Sequence, residues 1–125
     1  MKTNPVGWFE IYVKDLERAK KFYETVFATE LQALKAPFPG IELYAFPMAE
    51  NRYGASGALV KMEGMGPSGS SILVYFSCQD CAVEESRVTA AGGRVERAKM
   101  SIGEYGFISL VVDSEGNMIG LHSMQ

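Results

Sequence analysis

One pattern occurs twice in this chain, 65 residues apart. An apolar strand-like segment runs into an aspartate, Asp15 in one copy and Asp80 in the other, and an amphipathic helix-like segment follows. The first copy reads FEIYVKDLERAKKFYETVFATEL and the second VYFSCQDCAVEESRVTAAGGRV. Each aspartate stands where a helix starts, so its carboxylate can accept from backbone N–H groups that the first turn leaves unpaired. A single short segment cannot bury its apolar face alone. The repetition therefore predicts two modules packed into one sheet-based core.

Periodicity and punctuation fill in each module. In the first, a strand over Trp8 to Val13 precedes a helix in which Leu16, Ala19, Phe22, Tyr23, Val26 and Phe27 follow the spacing of one buried face. Two short strands between Glu30 and Met48 flank the turn Pro37-Phe38-Pro39-Gly40, and Gly57 to Glu63 reads as a fourth strand. The second module starts with Ile72 to Cys78. A helix capped by Asp80 or Cys81 is expected to run to Ala91, where Gly92-Gly93 ends it. Strands over Arg94 to Ala98, Gly106 to Val112 and Asn117 to Ser123 complete it, the last two joined by the tight turn Asp113 to Gly116. The fold class expected is α+β, with βαβββ twice, eight strands and two main helices. Residues 1–125 form one domain of modules 1–63 and 71–125, joined by the Gly/Pro/Ser linker 64–70.

Composition removes several function classes. A net charge of −3 without a Lys/Arg run offers no electrostatic grip on nucleic acid. No apolar run reaches the ~18 residues of a membrane span. The start MKTNPVGW lacks the apolar core of a secretory signal, so a cytoplasmic protein is expected. Cys78 and Cys81 form a Cys-x-x-Cys, but a reduced compartment disfavours a structural disulfide and a zinc site would need two further ligands. The thiols are expected to serve as small packed residues.

The segments WFEIYVKDLERAKKFYETVF, LVYFSCQDCAVEESRVTAAGGRV and GFISLVVDSEGNMIGLHS together resemble the vicinal oxygen chelate superfamily, which includes glyoxalase I, bleomycin-resistance proteins and extradiol dioxygenases. The resemblance implies paired βαβββ modules and a homodimer, each cavity built from one N-terminal and one C-terminal module. In metal-dependent members, four ligands project from the first and last strands of the two modules. Carried over by position, these fall on Trp8, on Leu73, on Gly120 and within Gly57-Ala58-Leu59. None of these residues offers imidazole, carboxylate or thiolate, so no metal and no cofactor is expected.

Strand alternation assigns the side chains that share a face with those positions. They are Trp8, Glu10 and Tyr12 on the first strand, Leu73 and Tyr75 on the fifth, and Met118, Gly120 and His122 on the last. With Tyr44 they make an apolar and aromatic lining of the kind that holds small ligands. Glu10 and His122 are the groups in it capable of moving a proton. Three functions compete: a binder of a small, partly aromatic molecule; a lyase or isomerase with Glu10 or His122 as general base; and a non-catalytic dimeric interaction module.

Overall fold

The computed structural model describes residues 4–64 and 71–125, so residues 65–70 of the expected linker lie outside the described residues. It divides into two compact units, one of Trp8–Ile72 and one of residues 4–7 with Leu73–Gln125. The first contains β1 (Val6–Tyr12), α1 (Leu16–Phe27), β2 (Gln32–Leu34), β3 (Ile41–Ala45) and β4 (Ser56–Met62). The second contains β5 (Ile72–Ser77), α2 (Cys81–Val88), β6 (Arg94–Ser101), a 3-10 turn at Gly103–Tyr105, β7 (Phe107–Val112) and β8 (Met118–Ser123). The eight strands and two helices are those of the expected α+β arrangement.

Both units have one topology. In the first the strands lie in the order β2-β3-β4-β1, with β1 parallel to β4 and the other neighbours antiparallel. In the second the order is β6-β7-β8-β5, with β5 parallel to β8. A parallel neighbour cannot be reached by a tight hairpin; the helix and two intervening strands make the long connection it requires.

The two aspartates start their helices as expected. Asp15 accepts from the Arg18 N–H at 3.0 Å, and Asp80 from the Ala82 N–H at 3.0 Å. Helix α1 stops at Ala28, which takes the left-handed conformation (φ 50°) and returns its N–H to the Glu24 carbonyl. Helix α2 ends at Val88, three residues before the expected Ala91. There the Gly93 N–H reaches back to the Val88 carbonyl at 3.0 Å, with Gly92 at φ 101°. A side chain at Gly93 would collide with the Val112 carbonyl, so the glycine brings the chain tight against β7.

The helices cover one face of each sheet. Leu16, Leu31 and Leu59 form the buried centre of the first unit, packed by Ile11, Val13, Ala19, Tyr23, Tyr44 and Phe46. Cys81, Val111 and Leu121 do the same in the second. The expectation of one buried face on α1 needs correction: Phe22, Val26 and Phe27 are 59%, 55% and 64% exposed. At about 100° per residue, Leu16, Ala19 and Tyr23 share a narrow arc toward the sheet, while Phe22 and Val26 fall on its flank. Phe27 sits at the last helical position and stacks on Tyr23 at 6.3 Å between centroids. Among the described residues, no helix is long and apolar enough to cross a membrane.

The β7–β8 turn is built on Asp113, whose carboxylate accepts from the Glu115 N–H (2.8 Å), the Asn117 N–H (2.9 Å) and the Asn117 side-chain amide (3.0 Å). The Asn117 backbone donor, with its neighbours, holds the carboxyl below the usual aspartate range. Because the folded-state value is depressed, this contribution is complete above the ordinary aspartate value and is lost as pH falls through the depressed one. Melting followed by circular dichroism should therefore show Asp113→Ala lowering Tm at pH 7. The gap from the parent should narrow as the acid limb is reached.

Candidate functional site

Strand β1 fixes a carboxylate between two aromatic residues. The Tyr12 hydroxyl donates to Glu10 Oε1 at 2.7 Å, and the Trp8 indole N–H donates to Glu10 Oε2 at 3.2 Å. The three side chains meet because residues two apart on a strand share a face. Pairing in the sheet identifies that face. Glu10 lies beside Ala58, and Ala58 beside Ala45; Tyr12 lies beside Val60, and Val60 beside Leu43. Ala45, Ala58 and Val60 are almost or wholly removed from solvent. Small residues next to Glu10 leave the carboxylate bordered by the aromatic pair and an apolar floor. Alternation in the sequence placed Trp8, Glu10 and Tyr12 together; the flanking alanines carried no signal.

Tyr44 does not join them. It pairs in register with Leu59, which in turn lies beside Ile11, and all three belong to the helix-facing core. Its hydroxyl donates to Glu17 on α1 at 2.8 Å, and the Lys20 ammonium lies 5.3 Å from its ring centroid. The nearby Glu17 carboxylate raises the Tyr44 pKa by accepting its proton in a hydrogen bond. The expectation that Tyr44 lines the ligand face is corrected by this register.

In the second unit, Tyr75 pairs with Gly120, and Met118 and His122 take the alternate positions of β8 on the same side. A Cβ at Gly120 would run into the Tyr75 ring, so the glycine lets the ring lie flat across β8. Leu73 and Tyr75 are 1% and 7% exposed. His122 Nε2 lies 2.6 Å from the Tyr105 carbonyl, which can only accept, so Nε2 carries the proton. The bond ties β8 to the 3-10 turn, whose ends are set by Gly103 (φ 73°) and Gly106 (φ 101°).

Comparisons with known proteins fit this architecture. The bleomycin resistance protein-like N-terminal family matches residues 6–33. Methylmalonyl-CoA epimerase from Mycobacterium tuberculosis superposes with a TM-score of 0.67 at 16% identity, covering 97% of this chain and 88% of its own. A hypothetical protein from Bacillus halodurans reaches 0.76 at 13% identity, covering 99% and 96%. The chain has the vicinal oxygen chelate fold. "Putative glyoxylase CFP32" from M. tuberculosis, and likewise from M. bovis, is 27% identical over 117 residues. That match covers 92% of this chain, which spans less than half (44%) of those relatives. The superfamily resemblance read from the sequence is thus upheld.

Register narrows the fourth carried-over position, which the sequence left within Gly57-Ala58-Leu59. Glu10 pairs with Ala58, and Tyr75, 65 positions later, pairs with Gly120. Ala58 is therefore the counterpart of Gly120. Trp8, Ala58, Leu73 and Gly120 do not fit a divalent metal, because none has a ligating side chain. Among the described residues, no group of three or more His, Cys, Asp or Glu side chains is placed to hold one.

The cysteines lie on the helix side of their unit. Cys81 is fully buried in the core around Val111 and Leu121, and half-buried Cys78 packs against it. Burial, with the Glu84 carboxylate adding to it, pushes the Cys78 thiol up to about 11. A thiol so raised is almost wholly protonated at neutral pH and is a poor nucleophile. Iodoacetamide at pH 8 should alkylate folded protein more than about tenfold slower than free cysteine. Unfolding in denaturant should restore the ordinary rate. Rapid labelling of the folded chain would contradict the inert placement.

Proposed function

We propose that this protein binds a small, partly aromatic molecule in the manner of the glyoxalase/bleomycin-resistance group, without the metal used by other members, and acts as a homodimer. The observation that carries the reading is the Glu10 carboxylate held by Trp8 and Tyr12. Donors on both oxygens fix its position, and a positioned acceptor beside an indole suits recognition of a planar molecule bearing N–H or O–H groups. In the second unit by itself, Leu73, Tyr75, Met118 and Gly120 are the proposed ligand-contacting residues. Their apolar and aromatic character matches a lining that works by shape and stacking. The family match at residues 6–33 and the glyoxylase-named relatives favour the same group. Lack of ligating side chains at Trp8, Ala58, Leu73 and Gly120 supports binding without metal.

The rival is proton transfer in a lyase or isomerase, with Glu10 or His122 as base. Structural neighbours that include a methylmalonyl-CoA epimerase in complex with methylmalonyl-CoA give that rival a substrate to test. Against it, both Glu10 oxygens accept from fixed donors, and the Nε2 of His122 is engaged by Tyr105. The binding reading asks nothing further of either group.

Trp8 is the only tryptophan in the chain, so its fluorescence reports on the site directly. Titration with a panel of planar aromatic compounds that includes metal-free bleomycin should quench it saturably. Glu10→Gln should weaken binding about tenfold, the loss of one charge-assisted hydrogen bond, whereas His122→Ala should bind as the parent does. In deuterated water, methylmalonyl-CoA incubated with the protein should gain no deuterium beyond the background rate. Incorporation abolished by Glu10→Gln or His122→Ala would replace the binder with the enzyme.

A further inference from the structure

We propose, resting on the binding role given above, that the ligand held at Glu10 is an organic cation: a planar amidinium, guanidinium or like group whose positive charge sits on N–H donors. The register of β1 to β4 supports this by showing which side chains share a face with the carboxylate. Beside Trp8, Glu10 and Tyr12 stand Ser56, Ala58 and Val60 of β4. The remaining paired residues of this face, on β2, β3 and β4, are apolar except Gln32. Glu10 is therefore the one charged side chain among the residues paired on this face. Glu42 and Lys61 of the same strands oppose each other in register, and they stand on the helix side with Tyr44.

The groups that hold Glu10 orient it and bring no opposing charge. One is a phenol, at 2.7 Å, and the other an indole, at 3.2 Å. The floor of Ala45, Ala58 and Val60 is buried and has no polar side-chain atoms. A charge on such a face acts through a lower dielectric than one in water. It attracts a ligand of opposite sign, and repels one of like sign, more strongly than a fully exposed carboxylate would.

The chemistry of the three side chains narrows the cation further. Trp8 and Glu10 are half-buried, so a ligand can reach both. Carboxylate oxygens accept more than one hydrogen bond each, so a ligand can share them with the protein donors. A planar amidinium or guanidinium meets a carboxylate with two parallel N–H groups, which adds direction to the charge. Among aromatic rings, indole attracts cations best, and its N–H bond to Glu10 keeps Trp8 beside the charge.

Benzamidinium, benzamide and benzoate have nearly one shape and differ in charge, so together they test the assignment. Quenching of Trp8 at neutral pH, checked by isothermal titration calorimetry, should show benzamidinium binding at least about tenfold more tightly than benzamide. Benzoate should bind most weakly. Glu10→Gln should remove the difference between benzamidinium and benzamide. Glu17→Gln, a change of equal charge on the helix side, should keep it. The ranking on the parent protein needs no substitution, so it decides even where circular dichroism shows that Glu10→Gln has lost its fold. Equal binding of benzamidinium and benzamide, or a preference for benzoate, overturns the cation assignment and leaves the ligand site standing. A benzamidinium preference that survives Glu10→Gln also overturns it. If neutral aromatic compounds quench Trp8 and benzamidinium does not, this assignment alone falls. If no aromatic compound of any charge quenches Trp8, the binding role falls with it.

Discussion

The first strand of each unit lies parallel to its last, and this pairing decides which residues share a surface. It places Glu10 beside Ala58 and Tyr75 beside Gly120, the same relation repeated 65 residues on. Parallel neighbours demand a long connection, and the helix with two further strands supplies it in both units. The helix then claims one face, with Leu16 and Leu59 at its centre in one unit and Cys81 and Leu121 in the other. Residues two apart on β1, β5 and β8 are left to the opposite face. Glu10 owes its two aromatic donors to that geometry, since Trp8 and Tyr12 are its nearest same-face neighbours along the strand.

Features governed by local chemistry were legible before any coordinates. Asp15 and Asp80 announced helix starts, Gly116 announced the last turn, and alternation grouped Trp8 with Glu10 and Tyr12. What depended on packing between distant segments was not legible. Tyr44 took the helix face because β3 pairs with β4 in a register that sets it beside Leu59, and the irregular segment between those strands gives no cue to register. The apolar residues of α1 fitted a helical period, but only the sheet decides which part of the stripe is covered. Hence Leu16 is buried and Phe22 is not. The Gly92-Gly93 stop was visible, although the chain leaves the helix three residues sooner because Gly93 must pack against β7.

The fold leaves chemistry open, since one scaffold serves binders and enzymes alike. The side chains narrow it. At the positions where metal-dependent members of the superfamily carry ligands, this chain has an indole, a methyl group, an isobutyl group and a hydrogen atom, at Trp8, Ala58, Leu73 and Gly120. None of these side chains fits a divalent metal, and on β1 the Glu10 carboxylate stands oriented by Trp8 and Tyr12. Stacking and hydrogen bonding are what such groups do well.

The most direct measurement is the metal content of protein purified without chelators and without added metal, determined by inductively coupled plasma mass spectrometry. The expected result is nickel, zinc, iron and manganese each far below one atom per chain, with ligand binding at Trp8 unchanged after dialysis against EDTA. One atom of any of them per chain, lost together with binding on chelation, would contradict a metal-free site.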